Sequence, residues 1–183
     1  VHAVFRAVGP ADWGLYATPE VLRQVVVGGL ARLRSLPPAA PGERRRQREF
    51  LESVMPLFVA GCRERGRFPR DFFRSLLDWS ESLVEASRFS DALVCCDTAL
   101  DLGARAFPDV WPWVRLRRAQ VLVLQGELEE AHSTLMDTYR RLDLISDRGA
   151  IPALLDALGR VSLETRRATE FKRLLFDGLR LFH

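Results

Sequence analysis

Lysine is almost missing from this 183-residue chain: Lys172 is the only one, and the other basic residues among its 27 Lys and Arg are arginines. Codon bias in a GC-rich gene accounts for that as readily as selection does, so the arginine content alone names no partner. Cysteine is scarce as well. Cys62, Cys95 and Cys96 form no zinc-binding or disulfide-framework spacing, and adjacent cysteines on one helix point in different directions. They are expected to be small buried hydrophobes in a reducing, intracellular compartment, cytoplasmic or nuclear. Long apolar runs are absent; Val25–Val27 and Val121–Leu124 are short and flanked by polar residues, so no membrane span is expected. Position 1 is a valine, and Val1-His-Ala-Val-Phe-Arg lacks the build of a secretory leader, so a piece of a longer protein is expected.

Catalytic patterns are missing too. There is no Gly-rich phosphate loop, His-Glu-x-x-His, nucleophile elbow or cysteine quartet. His2, His132 and His183 are scattered, and His132, beside the small Ala131, fits an outward-facing or satisfied histidine better than a base. Glu127, Glu129 and Glu130 stand at a helix start, where acids complement the helix dipole without catalysing anything. No catalytic residue, metal ligand, cofactor or small-molecule substrate is assigned, and a non-enzymatic function is expected.

What the chain does have is an internal repeat. Ser87-Arg-Phe-Ser-Asp-Ala92 through Leu100 aligns with Gly126-Glu-Leu-Glu-Glu-Ala131 through Tyr139, a step of 39 residues. Leu155-x-x-Leu158-Gly159 with Arg166-Arg-Ala-Thr-Glu-Phe171 continues it after a step of 40. A period of that size predicts stacked helical hairpins. Close helix crossings need a small residue, and Ser80, Ala119 and Gly159 fill that place on the first helices while Ala92 and Ala131 fill it on the second. Leu76, Trp79, Leu83 and Phe89 surround one contact, and Leu122, Leu124, Leu128 and Leu135 the next. One hairpin cannot bury such a stripe alone, so neighbours must stack.

These residues resemble the tetratricopeptide repeat family in its longer variety, with a period near forty. The resemblance covers about the last three-fifths of the chain, and Ala119 through Leu135 is its best match. Arg118 departs from the pattern, standing where the family has a large apolar residue; Phe171 replaces a small residue and Gly178 an alanine, which marks the last copy as a distorted or capping unit. The resemblance implies an all-α fold: a right-handed α-solenoid of stacked antiparallel helix pairs, with the N-terminal helices packed on the array. Residues 1–41 are expected to form an arm and helix ending in a proline-rich break, and residues 42–183 the repeat domain. A composition of 48% hydrophobic and 28% charged residues suits one globular helical domain.

The stretch 1–17, with Gly9-Pro10 and Trp13-Gly14, reads as an apolar arm and turns. Thr18-Pro19-Glu20 then predicts a helix start, with Gly28-Gly29 weakening its interior. Pro37-Pro38-Ala-Ala-Pro41-Gly42 breaks the chain, a charged helix bent by Pro56 follows to Arg65, Gly66 ends it, and Pro69 opens the array. Trp111-Pro112-Trp113 begins the next hairpin, where one tryptophan is expected to pack and the other to be partly exposed. Asp147 is expected to cap the start of the last hairpin.

The resemblance also places a partner on the face formed by the first helices. By repeat phase that face carries Arg74, Asp78 and Glu81, then Trp113, Arg117 and Gln120, then Asp156 and Arg160. Its mixed charge predicts a protein partner, a peptide or helix bearing both signs, and so a scaffold or adaptor function. Two alternatives remain open: a nucleic-acid-binding helical repeat using Arg44, Arg45, Arg46 and Arg48 together with the other arginine clusters, Arg115, Arg117, Arg118 and Arg166, Arg167, or the non-catalytic arm of a multisubunit enzyme.

Overall fold

The computed structural model describes residues 18–66 and 68–180, the side chains at 105 and 177–180 excepted. The arm expected at 1–17, together with His2 and His183, lies outside the described residues. Among the described residues the protein is all-α, with eight α-helices and no strand: α1 Pro19–Ser35, α2 Pro41–Arg65, α3 Arg70–Glu85, α4 Phe89–Asp101, α5 Trp111–Gln125, α6 Leu128–Tyr139, α7 Ala150–Glu164 and α8 Ala168–Arg180. Short 3-10 turns occupy Ala104–Ala106 and Leu142–Leu144. The chain divides into two compact units, residues 1–78 and 79–183, with the boundary inside α3.

In the first unit, α1 starts on the Thr18 side chain, which accepts a hydrogen bond from the Val21 N–H at 3.4 Å, with Pro19 in the first turn. Its last carbonyls are satisfied from outside the helix: Arg44 Nη1 donates to the carbonyls of Leu36 at 2.8 Å and Leu33 at 3.4 Å. Helix α2 continues through Pro56 and stops at Gly66, whose φ of 60° places it in the left-handed conformation common at helix C-termini. Gly29, which costs helix propensity, is what lets α1 and α2 approach. A Cβ there would lie 2.8 Å from Leu51 Cδ2, and Gln47 Nε2 donates to the Gly29 carbonyl at 3.2 Å. Residues 36–40, the first part of the proline-rich stretch, link two packed helices of the same unit. Leu22, Val25, Val26, Leu51, Val54 and Phe58 build the core with Phe72 and Phe73, whose rings meet edge to face at 5.3 Å.

The second unit repeats one turn three times. At Ser87, Gly126 and Arg166 the backbone is left-handed, with φ of 60°, 83° and 60°. The same two hydrogen bonds close each turn: Ser87 N to Val84 O with Arg88 N to Leu83 O, Gly126 N to Val123 O with Glu127 N to Leu122 O, and Arg166 N to Leu163 O with Arg167 N to Ser162 O. This is the Schellman arrangement, recurring with the same 39- and 40-residue steps as the sequence pattern. Two of the three turns hold a non-glycine residue in a conformation that costs it about 1 kcal/mol, so the turn geometry is imposed by the packing of the helices it joins.

Consecutive helices pack from α4 to α8, and α5 also packs on α7. Ser80, Ala92, Ala119, Ala131 and Gly159 are all buried at the crossings; Ser80 Oγ donates to the Ala92 carbonyl at 3.1 Å. In the last copy only the first helix keeps its small residue. Phe171 lays its ring on Gly159, where an added Cβ would come within 2.8 Å of Phe171 Cζ. Around α5, α6 and α7 the core comprises Trp111, Leu116, Leu122, Leu135, Leu154, Leu158 and Val161 with their neighbours.

Candidate functional site

The first helices of the second unit enclose an open groove of about 460 Å³. Ala119, Val123, Ala153 and Ala157 supply small and medium side chains, with buried Leu135 and Val161 beneath them, so the floor is apolar and shallow-sided. One wall is α5, where Arg117, Gln120 and Leu124 follow each other at helical spacing. Leu124 is about half exposed, at 51%. The other wall is α7, whose Asp156, Arg160 and Glu164 stand four residues apart with alternating sign. Arg160 Nη2 bonds Asp156 Oδ2 at 2.9 Å, but both side chains remain well exposed.

Four residues placed on this face from the sequence, Arg117, Gln120, Asp156 and Arg160, are brought together in the groove. Arg117 is tied there: its Nη2 donates to Glu81 Oε1 at 3.1 Å. Glu81 therefore orients Arg117 and is not among the lining residues. Trp113 is half-buried against the core, and its Nε1 donates to Asp147 Oδ2 at 2.9 Å. Asp147 serves two elements, because its Oδ1 also accepts the Gly149 N–H at 2.9 Å just before α7. Trp111, the first tryptophan of that turn, is buried.

Arg74 and Asp78 lie in the other unit, in a separate groove of about 500 Å³ between α1 and the start of α3. Interhelical ion pairs bridge it: Arg23 Nη1 to Asp71 Oδ2 at 2.6 Å and Arg34 Nη2 to Asp78 Oδ2 at 3.1 Å. Because Arg23 precedes Arg34 as Asp71 precedes Asp78, α1 and this part of α3 run parallel.

The arginine clusters are largely engaged inside the protein. Arg118, the departure from the repeat pattern, brackets three helices: Nε donates to Asp97 Oδ1 at 2.7 Å, Nη1 to Thr134 Oγ1 at 2.9 Å and Nη2 to Glu130 Oε1 at 2.6 Å. Burial opposes its charge, yet the bonds to Asp97 and Glu130 prevail and raise its pKa above the ordinary arginine value. Arg115 donates to Thr138 Oγ1 and the Thr134 carbonyl, both at 3.1 Å. In the α2 cluster Arg44 caps α1, Arg45 pairs with Glu49 at 2.9 Å, Arg46 is exposed and Arg48 half-buried.

His132 is buried, with Nδ1 2.9 Å from Arg167 Nη1. A guanidinium can only donate, so Nδ1 accepts and the ring is the neutral Nε2–H tautomer. Burial, then the Arg167 charge, lowers its pKa below the usual histidine value. Cys95 is half-buried and Cys96 buried; burial pushes their thiols up to about 12 and about 11. Among the described residues no group of three or more His, Cys, Asp or Glu is placed to hold a metal, and no helix is long and apolar enough to cross a membrane.

Ala153, Ala157 and Glu164 are not singled out by the repeat phase. Ala153, Ala157, Asp156, Arg160 and Glu164 share one face of α7 at three- and four-residue spacing, a signal present in the sequence that would have found them. No family model, curated protein or solved structure matches this chain.

Proposed function

We propose that this chain is a protein-protein interaction module, a tetratricopeptide-like right-handed solenoid that receives an amphipathic helix of a partner protein between α5 and α7. The alanine-floored groove between charged walls carries the proposal. Small floor residues let a helix approach closely, and from Ala153 to Glu164 the α7 wall runs about 16 Å, three turns of a docked helix. The alternating Asp156, Arg160 and Glu164 favour a partner with both charge signs along one edge. The recurring left-handed turns and the packing of α5 on α7 support a stacked-hairpin solenoid. The role is that of a non-catalytic scaffold or adaptor, and the three free thiols are compatible with an intracellular setting. The nucleic-acid alternative draws less support, because Arg115, Arg117, Arg118 and Arg44 are occupied in helix-to-helix contacts and offer few guanidiniums for phosphates.

The test is partner affinity for folded variants. Ala157→Trp should fill the floor and lower affinity at least about tenfold, as expected when a central interface pocket is lost. Arg160→Glu should weaken binding and shift its salt dependence, while Glu49→Gln on α2 should change neither. Wild-type affinity in both groove variants, with melting temperatures unchanged, would place the partner elsewhere.

A further inference from the structure

The last hairpin is fastened unlike the others. Helix α8 has no fully buried side chain among its described residues 168–176, and Phe176 is 69% exposed. Leu174 packs against the core beside it, and three further contacts at its start and middle tie it down. Phe171 rests on Gly159, the Tyr139 hydroxyl donates to the Leu174 carbonyl at 2.6 Å, and Arg167, in the turn before α8, reaches back to α6. There Arg167 Nη1 donates to His132 Nδ1 at 2.9 Å and Nη2 to Glu129 Oε2 at 2.6 Å. The Arg167 carbonyl in turn accepts the Phe171 N–H at 3.1 Å, so the same residue anchors the first turn of α8.

We propose that α8 is held by a protonation latch: proton uptake at His132 expels the Arg167 guanidinium and frees α8 from α6 and α7. The neutral ring is required because its Nδ1 must accept. Once protonated, Nδ1–H and Nη1–H face each other as two donors with no acceptor between them, and the buried imidazolium stands against the guanidinium of the partly exposed Arg167. The ring's other nitrogen, Nε2, is buried without a hydrogen-bond partner, so the charged ring has nowhere to spread its charge without water entering. The charged groups acting on the ring are Arg167 in the turn, Glu170 in the first turn of α8 and Glu129 on α6; the two carboxylates favour the imidazolium, while Arg167 and burial oppose it. Since burial dominates, the latch stays closed at and above the ordinary histidine pKa and opens as pH falls below it. Without Arg167, the half-buried α8 keeps only partly buried side chains, Phe171 and Leu174, on the core, and the Tyr139 bond.

Amide exchange along α8 in the full chain, corrected for intrinsic rates, tests this when followed across the pH range in which NMR shows the His132 ring titrating. Protection at Phe171 and the amides after it should fall at least about tenfold as the ring gains its proton, while α5 holds its protection. In His132→Asn, whose Oδ1 can accept from Arg167 in place of Nδ1 but takes up no proton, the fall should vanish. In Arg167→Met, α8 should be weakly protected throughout, with no step at the ring's titration. Full protection of α8 in the wild type with the ring charged would overturn the latch. An equal fall in His132→Asn would assign the response to Glu129 and Glu170 and overturn it too. If the Asn variant does not fold, a pH step surviving in Arg167→Met would overturn the latch in its place.

Discussion

Exchanging Gly159 for alanine should have opposite effects depending on what stands at position 171. In the native chain the new methyl group would lie 2.8 Å from Phe171 Cζ and 2.9 Å from Cε1. Carbon atoms prefer about 3.5–4.0 Å, so the ring must retreat by roughly 1 Å. Overpacking of this kind costs about 1–3 kcal/mol, offset by the roughly 1 kcal/mol that alanine gains over glycine inside a helix. Gly159→Ala alone should therefore range from neutral to about 2 kcal/mol destabilising. In a Phe171→Ala background the obstacle is gone, and the pair becomes Ala-Ala, as at Ala119 and Ala131. There the same substitution should stabilise by up to about 1 kcal/mol. The two effects differ by about 1–3 kcal/mol, the coupling a double-mutant cycle reads. Urea unfolding of the four proteins, with midpoints compared at constant m-value, measures it. Additivity within about 0.5 kcal/mol would refute both the compensation and the alignment of Phe171 with Ala131.

Two further outcomes follow from the packed arginines and thiols. Arg118→Met keeps the stem and removes the bracket; with the arginine 17% exposed but Asp97 and Glu130 about half exposed, the loss should be about 1–2 kcal/mol. Equal or greater stability of the methionine variant in urea would mean that desolvation cancels the bracket, and that an apolar residue serves as well here. Native Cys95 and Cys96, with thiols near 12 and 11, should react with iodoacetamide at pH 8 at least about a hundredfold more slowly than in the unfolded chain. Labelling at the unfolded rate would show that these thiols ionise freely.

Sequence by itself determined the local features of this protein. Helix starts at Pro19 and Trp111, the stop at Gly66, and small crossing residues at Ser80, Ala119 and Gly159 were legible because caps, left-handed turns and 3.6-residue periodicity act over a few neighbouring positions. Even the turns at Ser87 and Arg166, which carry no glycine, could be placed by their phase with Gly126. Tertiary structure alone decided what each polar side chain does. Arg118 and Arg117 look alike in sequence, yet one brackets α4, α5 and α6 while the other pairs with Glu81 at the edge of a groove. Trp113 looks like an interface anchor but donates to Asp147, 34 positions away. His132, read from the sequence as outward-facing or satisfied, is buried against Arg167, 35 positions on. Asp78 shares the repeat phase of Arg117, yet the two line different grooves in different units. A charge at a given helical phase can face solvent, a neighbouring helix or a cleft at similar local cost, and only the partner brought near by the fold selects among them.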